Sequence, residues 1–411
     1  MPTVGILGAG AMGAGIAQVA STAQWRVRLL DVDLATCEAA KQSIAKRLAR
    51  NVEKNRMSQS EADAAFANIL PSTHEDVSDC DLFIEAIVED LNIKVSALKP
   101  ILARLGTEAI IATNTSSLSV SDLGERIGAA DRTCGMHFFN PAPIMKLVEV
   151  VRGKATQPSV LDRVSSIARD WDKQVAQCAD TPGFIVNRVA RPYYLEAFRC
   201  LEDGLADPAA IDDAMKTIGG FRMGPFELTD FIGHDVNTAT TRSIWEQWNR
   251  PSRLAPVAIQ EQLVSDGTLG RKTGCGVYDW SGKQPVCVLR PPQDAATGVS
   301  NLDDIAIRFC EAATANPEST ARSSDRQRVV FTRILAAIIN EAAWAAHDGV
   351  ATETDIDIAM QAGVNYPHGL FNWSRDIGSD LVVMTLSALN ATTDDGRFIP
   401  PLIDSGEHGS P

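Results

Sequence analysis

The chain has 411 residues, enough for two or three domains and a large core, and its composition is that of an ordinary globular protein. A net charge of −14 argues against general binding to nucleic acid or to an anionic membrane, so a polyanionic cofactor would need a local basic patch. The eight cysteines form no Cys-x-x-Cys pair, which points to reduced thiols with neither a metal site nor a disulfide framework. No apolar run approaches the roughly 18 residues of a membrane helix. The start has neither the basic nor the apolar segment of a signal peptide, and the expectation is a cytoplasmic protein.

Val4-Gly5-Ile6-Leu7 reads as a buried strand and Ala14–Ala20 as a helix. Between them lies Gly8-Ala9-Gly10-Ala11-Met12-Gly13, the G-x-G-x-x-G pattern in its required context. Gly8 would make the turn, Gly10 would admit a pyrophosphate and Gly13 would allow close helix–strand packing. A second strand, Arg26–Leu30, ends at Asp31, about 20 residues on, as the fingerprint asks. A carboxylate there accepts from ribose hydroxyls and repels a 2′-phosphate, so the cofactor read is NAD rather than NADP.

Residues 35–54 read as a long helix carrying Lys41, Lys46, Arg47, Arg50 and Lys54, either a phosphate site or a solvated face. A helix over 58–67 follows. The next strand, 81–87, has Glu89, Asp90 and Lys94 after its C-terminal end, where open α/β sheets bind ligands. The strand 109–113 runs into Asn114-Thr115-Ser116-Ser117, which could grip a substrate oxygen or cap a helix.

Gly135-Met136-His137-Phe138-Phe139-Asn140-Pro141 holds a histidine in an apolar run, and Glu149 stands in the strand behind it. A histidine can take and return a proton near neutral pH. A buried acid needs a cation or donor, and Glu149 could orient His137 and stabilise its protonated form. Beyond Asp180-Thr181-Pro182-Gly183 the periodicity becomes helical. There Phe184–Asp235 matches Val329–Asp380 without a gap, at an offset of 145 (Arg333 minus Arg188). Asn187 in the first copy faces Thr332 in the second, so only the first copy is expected to serve an active site.

Together these motifs resemble the 3-hydroxyacyl-CoA dehydrogenases. The matching runs include Glu85-Ala86-Ile87-Val88-Glu89, Asn114–Leu118, His137–Pro141, Lys146–Val150, Thr181–Arg188 and Gly224-Pro225-Phe226-Glu227-Leu228, in family order over residues 1–280. The tandem C-terminal unit resembles the longer bacterial members, including those acting on 3-hydroxyadipyl-CoA.

The resemblance implies NAD-dependent oxidation of an L-3-hydroxyacyl-CoA to a 3-oxoacyl-CoA, in fatty-acid or aromatic-compound catabolism. His137 would be the general acid/base and Glu149 its partner, with Ser116 and Asn187 around the substrate oxygens. Gly8, Gly10, Met12, Gly13, Asp31, Glu89, Lys94, Asn114, Ser116, Asn140 and Lys272 would face the cofactor. Arg47, Arg50 and Lys54 would meet the CoA, although Arg47 stands where relatives can have serine.

The expected fold is an α/β Rossmann-like doubly wound sheet followed by two repeated all-α helical domains. The divisions are an NAD-binding domain at 1–182, a first helical domain at 183–280 that completes the active site, a linker at 281–325, a second, degenerate helical repeat at 326–395 and a tail at 396–411. The partner is an acyl-CoA substrate, with no nucleic acid and no membrane. The assembly is a monomer holding an intrachain pseudo-dimer, or a homodimer. The competing readings are a sugar-acid dehydrogenase of the same superfamily and a non-catalytic NAD-binding protein.

Overall fold

All five residues of β1 (Thr3–Leu7) are buried, as expected of a central strand in a parallel sheet. Around it the chain alternates: α1 (Ala11–Thr22), β2 (Arg26–Leu30), α2 (Leu34–Glu53), α3 (Gln59–Ala67), β3 (Ile69–Pro71), β4 (Leu82–Glu85), α4 (Leu91–Leu102), β5 (Ile110–Thr113), α5 (Val120–Ile127) and β6 (Thr133–Phe138). Then come β7 (Leu147–Arg152), α6 (Pro158–Asp170) and β8 (Gln174–Ala179). The computed structural model describes residues 1–291, 302–314 and 317–401.

The strand order is β3-β2-β1-β4-β5-β6-β7-β8. All neighbours are parallel except β6 and β7, which are antiparallel. The order reverses between β1 and β4, and ligands of such sheets bind outside the strand ends at that point. One apolar cluster takes in residues of α1, α2, α3 and α6; a second takes in residues of α4 and α5, as a doubly wound sheet requires.

Met1–Phe184 forms one compact unit with Val350–Gly363, and Ile185–Gly349 forms the other with the chain from Val364. In the first unit, Ala179 N donates to Val350 O at 2.8 Å and Gln177 N to Asp355 Oδ1 at 3.0 Å. These bonds cover the outer edge of β8, which would otherwise offer unpaired groups.

The second unit contains α7 (Val186–Val189), α8 (Arg191–Glu202), α9 (Pro208–Thr217), α10 (Pro225–Ile232), α11 (His234–Gln247) and α12 (Ala258–Ser265). A short ribbon of β9 (Tyr278–Asp279) and β10 (Val286–Cys287) follows, then α13 (Asp303–Ala313), α14 (Pro317–Arg322) and α15 (Asp325–His347). α16 (Glu353–Val364) lies in the first unit up to Gly363, and α17 (Leu370–Ile377) and α18 (Ser379–Asn390) complete the helices of the second.

Two expectations are corrected here. Residues 281–325 are not a linker with little structure: α13 buries Ala306, Phe309 and Cys310, an i, i+3, i+4 face that the polar composition around it concealed. Residues 292–301, 315–316 and 402–411, which fall in the expected linker and tail, lie outside the described residues. The expectation of no long apolar run also fails, because α15 is long and apolar enough to span a membrane. Its apolar stretch is 83% buried in the protein, as in a core helix.

The two copies pair by reciprocal bonds. Arg188 donates to Glu341 at 2.7 Å and to Asp348 at 2.6 Å. Arg333, its counterpart, donates to Glu196 at 2.9 Å and to Asp203 at 2.6 Å, and those acids are the counterparts of Glu341 and Asp348. Contacts of this exchange type are those of a two-fold interface, here within one chain.

Burial alone would raise the Glu196 pKa, but Arg199, Arg333 and Arg397 outweigh it and bring the value down to about 2 from 4.5. A depressed folded value means the stabilisation is complete above the unfolded pKa and disappears as pH falls through the folded one. The stability gap between wild type and Glu196→Gln is therefore expected to narrow as pH falls from about 4.5 toward about 2, followed by urea unfolding. A pH-independent gap would contradict the assignment.

Candidate active site

His137 and Glu149 lie opposite each other in the β6–β7 register. Directly opposed residues of antiparallel strands point to the same face. His137 Nδ1 meets Glu149 Oε2 at 2.6 Å, with Glu149 fully buried and His137 nearly so. The reversal of β7 therefore brings together two residues 12 apart in sequence. Phe139 and Phe184 flank the imidazole, with ring centroids 4.5 and 5.8 Å from it. An acid at Nδ1 fixes the tautomer and leaves Nε2 as the proton acceptor.

The glycine turn has the shape of a phosphate cradle. Gly8 has φ +108°, and a Cβ on Gly13 would lie 1.8 Å from Gly8 O. A Cβ on Gly10 would meet nothing within 4 Å, so packing within the protein does not require that glycine. Free space over Gly10, and a helix α1 with no side-chain cap at its N-terminus, suit a pyrophosphate. Met12, half-buried in the first turn of α1, packs against the core behind the cradle. Asp31 accepts from Ala9 N at 2.6 Å, tying the end of β2 to the turn, and from Val32 N at 2.7 Å.

Beyond β4 lies a polar network. Lys94 is buried, and its ammonium contacts Glu85 Oε1 at 2.6 Å and Glu89 Oε2 at 3.2 Å. Glu85 also accepts from Thr113 Oγ1 and Ile87 N. Glu89 accepts from Thr115 Oγ1 at 2.6 Å, Ser116 N at 2.9 Å and Ser117 Oγ at 3.1 Å. Burial opposes the Glu89 charge, but the Thr115 hydroxyl and Lys94 outweigh it and hold the carboxyl below its ordinary range. Lys94 thus anchors Glu89, and Glu89 organises the segment that presents the exposed Ser116. Asn114 Oδ1 accepts from Phe138 N at 2.9 Å, joining that segment to the strand of His137.

Asn140 is exposed just after Phe139, at the start of a turn. Lys173 holds this turn by donating to Ala142 O at 2.6 Å and Met145 O at 2.8 Å. Burial, and then Lys146, lower the Lys173 pKa to about 8. Asp180 accepts from Val120 N and Ser121 N, capping α5. The sequence reading gave no role to Glu85, although it stands in the run Glu85–Glu89, nor to Lys173 and Asp180, which flank β8 with no local pattern to mark their contacts.

Of the basic helix, Arg50 and Lys54 are exposed. Arg47 turns inward, donating from Nε to Gln18 Oε1 at 2.7 Å. Gln18 also lines a cleft of about 350 Å³, with Asn51, Arg56, Lys146 and Lys173 on its walls. In the second unit, Asn187 is half-buried on α7, and the Lys272 ammonium pairs with Asp235 at 2.6 Å.

The chain is similar to known proteins along nearly its whole length. Residues 3–181 match the model of the 3-hydroxyacyl-CoA dehydrogenase NAD binding domain. Residues 183–280 and 329–407 both match that of the 3-hydroxyacyl-CoA dehydrogenase C-terminal domain. A 3-hydroxyadipyl-CoA dehydrogenase of Escherichia coli K12 is 36% identical over 97% of this chain and 95% of its own length. A probable 3-hydroxybutyryl-CoA dehydrogenase of Bacillus subtilis is 38% identical over 68% of this chain and 97% of its own. The crystal structure of a 3-hydroxybutyryl-CoA dehydrogenase from Escherichia coli K12 superposes with a TM-score of 0.85 at 35% identity, covering 97% of this chain and 96% of that one. With both of its domain models matched and a relative aligned along nearly its whole length, this chain belongs to the 3-hydroxyacyl-CoA dehydrogenase family.

Proposed function

We propose that His137 is the general acid/base of an NAD-dependent 3-hydroxyacyl-CoA dehydrogenase, with Glu149 as its orienting and charge-stabilising partner. The observation that carries this reading is the 2.6 Å pair between His137 Nδ1 and the buried Glu149. Bound NAD supplies the acceptor for the hydride that leaves C3. His137 Nε2 takes the proton of the 3-hydroxyl as the C–O bond becomes a carbonyl, and returns it in the reverse direction. Glu149 stabilises the imidazolium formed meanwhile. Ser116 donates to the C3 oxygen, and Glu89, fixed by Lys94, sets the position of Ser116.

Gly8, Gly10, Met12 and Gly13 form the pyrophosphate cradle in this reading. Asp31 selects the ribose, and Asn114 and Asn140 complete the cofactor side. For Asn187 and Lys272 we keep the substrate-side and cofactor-side roles implied by the resemblance. Arg50 and Lys54 attract the CoA phosphates, and Arg47 supports them through Gln18. The eight free cysteines support a cytoplasmic setting. The reciprocal Arg188 and Arg333 bonds support a monomer holding a pseudo-dimer.

Two experiments test this. Oxidation of 3-hydroxybutyryl-CoA by NAD should slow by roughly tenfold to a hundredfold in Glu149→Gln, which keeps the shape but not the charge. An equal rate would remove the pair from the mechanism, and oxidation of a free sugar acid with no thioester turnover would replace the substrate. Asp31→Ser should raise the KM for NADH about tenfold and narrow the preference over NADPH. An unaltered preference would contradict the role of Asp31.

A further inference from the structure

Lys173 stands between α6 and β8 and is only 7% exposed. Its ammonium donates to Ala142 O and Met145 O rather than to a carboxylate. Ala142 is buried, so its carbonyl needs a donor from the protein. A neutral amide side chain could serve there, whereas a buried charge costs free energy. The ammonium at this place calls for a reason beyond satisfying carbonyls.

The turn it holds is the one that begins at Asn140. Ile144 N and Met145 N both donate to Pro141 O, at 2.9 and 3.0 Å, which makes the turn compact. Ala142 and Pro143 pack on α1 at Gly15, where a Cβ would lie 3.2 Å from Ala142 Cβ and 3.4 Å from Pro143 Cδ. α1 is the helix behind the glycine cradle, and β6, which leads into the turn, carries His137. Lys173 thus ties the start of β8 to a turn that rests on the cofactor helix and continues the catalytic strand. A charge-assisted hydrogen bond is roughly twice as strong as a neutral one, so the ammonium holds the turn more firmly than the free amine would.

Lys173 also lines the cleft of about 350 Å³ beside Gln18, through which its proton can exchange with water. The charged groups around that cleft are Lys146 at the end of the turn, Asp170 and Asp172 beside Lys173, and Arg56 beyond α2. Lys146 is paired with Asp172. Burial and the Lys146 charge outweigh Asp172, and the Lys173 pKa falls from 10.5 to about 8. The ammonium is therefore present at neutral pH and lost as pH rises through about 8.

We propose that Lys173 is a positioning residue for the cofactor: its positive charge holds the turn of residues 140–145 on α1 in the form that binds NAD, and loss of that charge weakens binding. The proposal rests on the cofactor-side place of Asn140, and every group it uses belongs to the first unit. The coupling is reciprocal, so bound NADH strengthens the hold of Lys173 on its proton.

The test titrates NADH by its fluorescence, from neutral to alkaline pH, against wild type, Lys173→Met, Lys173→Arg and Lys146→Gln. In wild type the Kd should rise roughly fivefold to tenfold, with a midpoint near pH 8. Lys173→Met should bind weakly at every pH and show no midpoint. Lys173→Arg, whose guanidinium keeps its charge, should bind tightly throughout. Lys146→Gln removes the neighbouring cation, so the midpoint should move upward. That variant leaves Lys173 in place and decides the matter if the Lys173 variants do not fold. A level Kd in wild type would overturn the proposal. So would a rise that persists in Lys173→Met, or a midpoint that Lys146→Gln does not move. Failure of wild type to bind NADH at any pH would remove the cofactor reading itself, whereas tight binding indifferent to pH would remove only the positioning role.

Discussion

His137→Gln is expected to lower kcat by roughly 10²–10⁴-fold, with little change in the KM for NADH. Glutamine fills similar space and can still donate toward Glu149, so β6 and β7 should keep their register. It cannot accept a proton at the position of Nε2, and the hydroxyl proton must then pass to water while the hydride leaves C3. Hydride transfer without a base leaves the product as a protonated, positively charged carbonyl, which Ser116, as a donor, does not stabilise. Steady-state turnover with 3-hydroxybutyryl-CoA checks the rate, and unfolding by urea checks the fold. A loss of less than about tenfold would place the base elsewhere.

Glu341→Gln is the second large effect, expected on stability. Glu341 is fully buried and accepts from Arg188 at 2.7 Å and Arg253 at 2.6 Å. Gln keeps the volume but removes the charge, and its amide must turn one N–H group toward a guanidinium. Breaking a buried pair from one side costs about 3–5 kcal/mol, because a charge stays desolvated without a partner. Equilibrium denaturation in urea measures the loss. Removing both ends with Arg188→Met and Glu341→Met should cost less than the two single losses added, since neither fully buried charge is left opposite an absent partner, and Asp348 and Arg253, which also lose a partner, are partly exposed to water. A loss below about 1 kcal/mol in Glu341→Gln would mean that water reaches the pair.

Much of the site was legible because its chemistry is local in sequence. The turn from Gly8 to Gly13 is bounded by a strand and a helix, and Asp31 ends the next strand, so one short stretch carried the cofactor reading. His137 and Glu149 were joined by reasoning that a buried acid needs a partner, and the antiparallel register supplies it. The parts that stayed hidden depend on distance along the chain. β3 and β8 are short or edge strands with little periodicity, and neither stood out. Lys173 meets carbonyls about 30 residues away, and no local pattern marks such a contact. The repeat was plain in sequence, yet its physical meaning, arginines of each copy exchanged onto acids of the other, needed coordinates.

The most direct test of the central claim follows the hydrogen on C3. Oxidation of 3-hydroxybutyryl-CoA deuterated at C3 should give NADH one mass unit heavier, together with acetoacetyl-CoA, and the deuterium should appear in no other product. Unlabelled NADH, or no NADH formed at all, would contradict hydride transfer from C3 and with it the role assigned to His137.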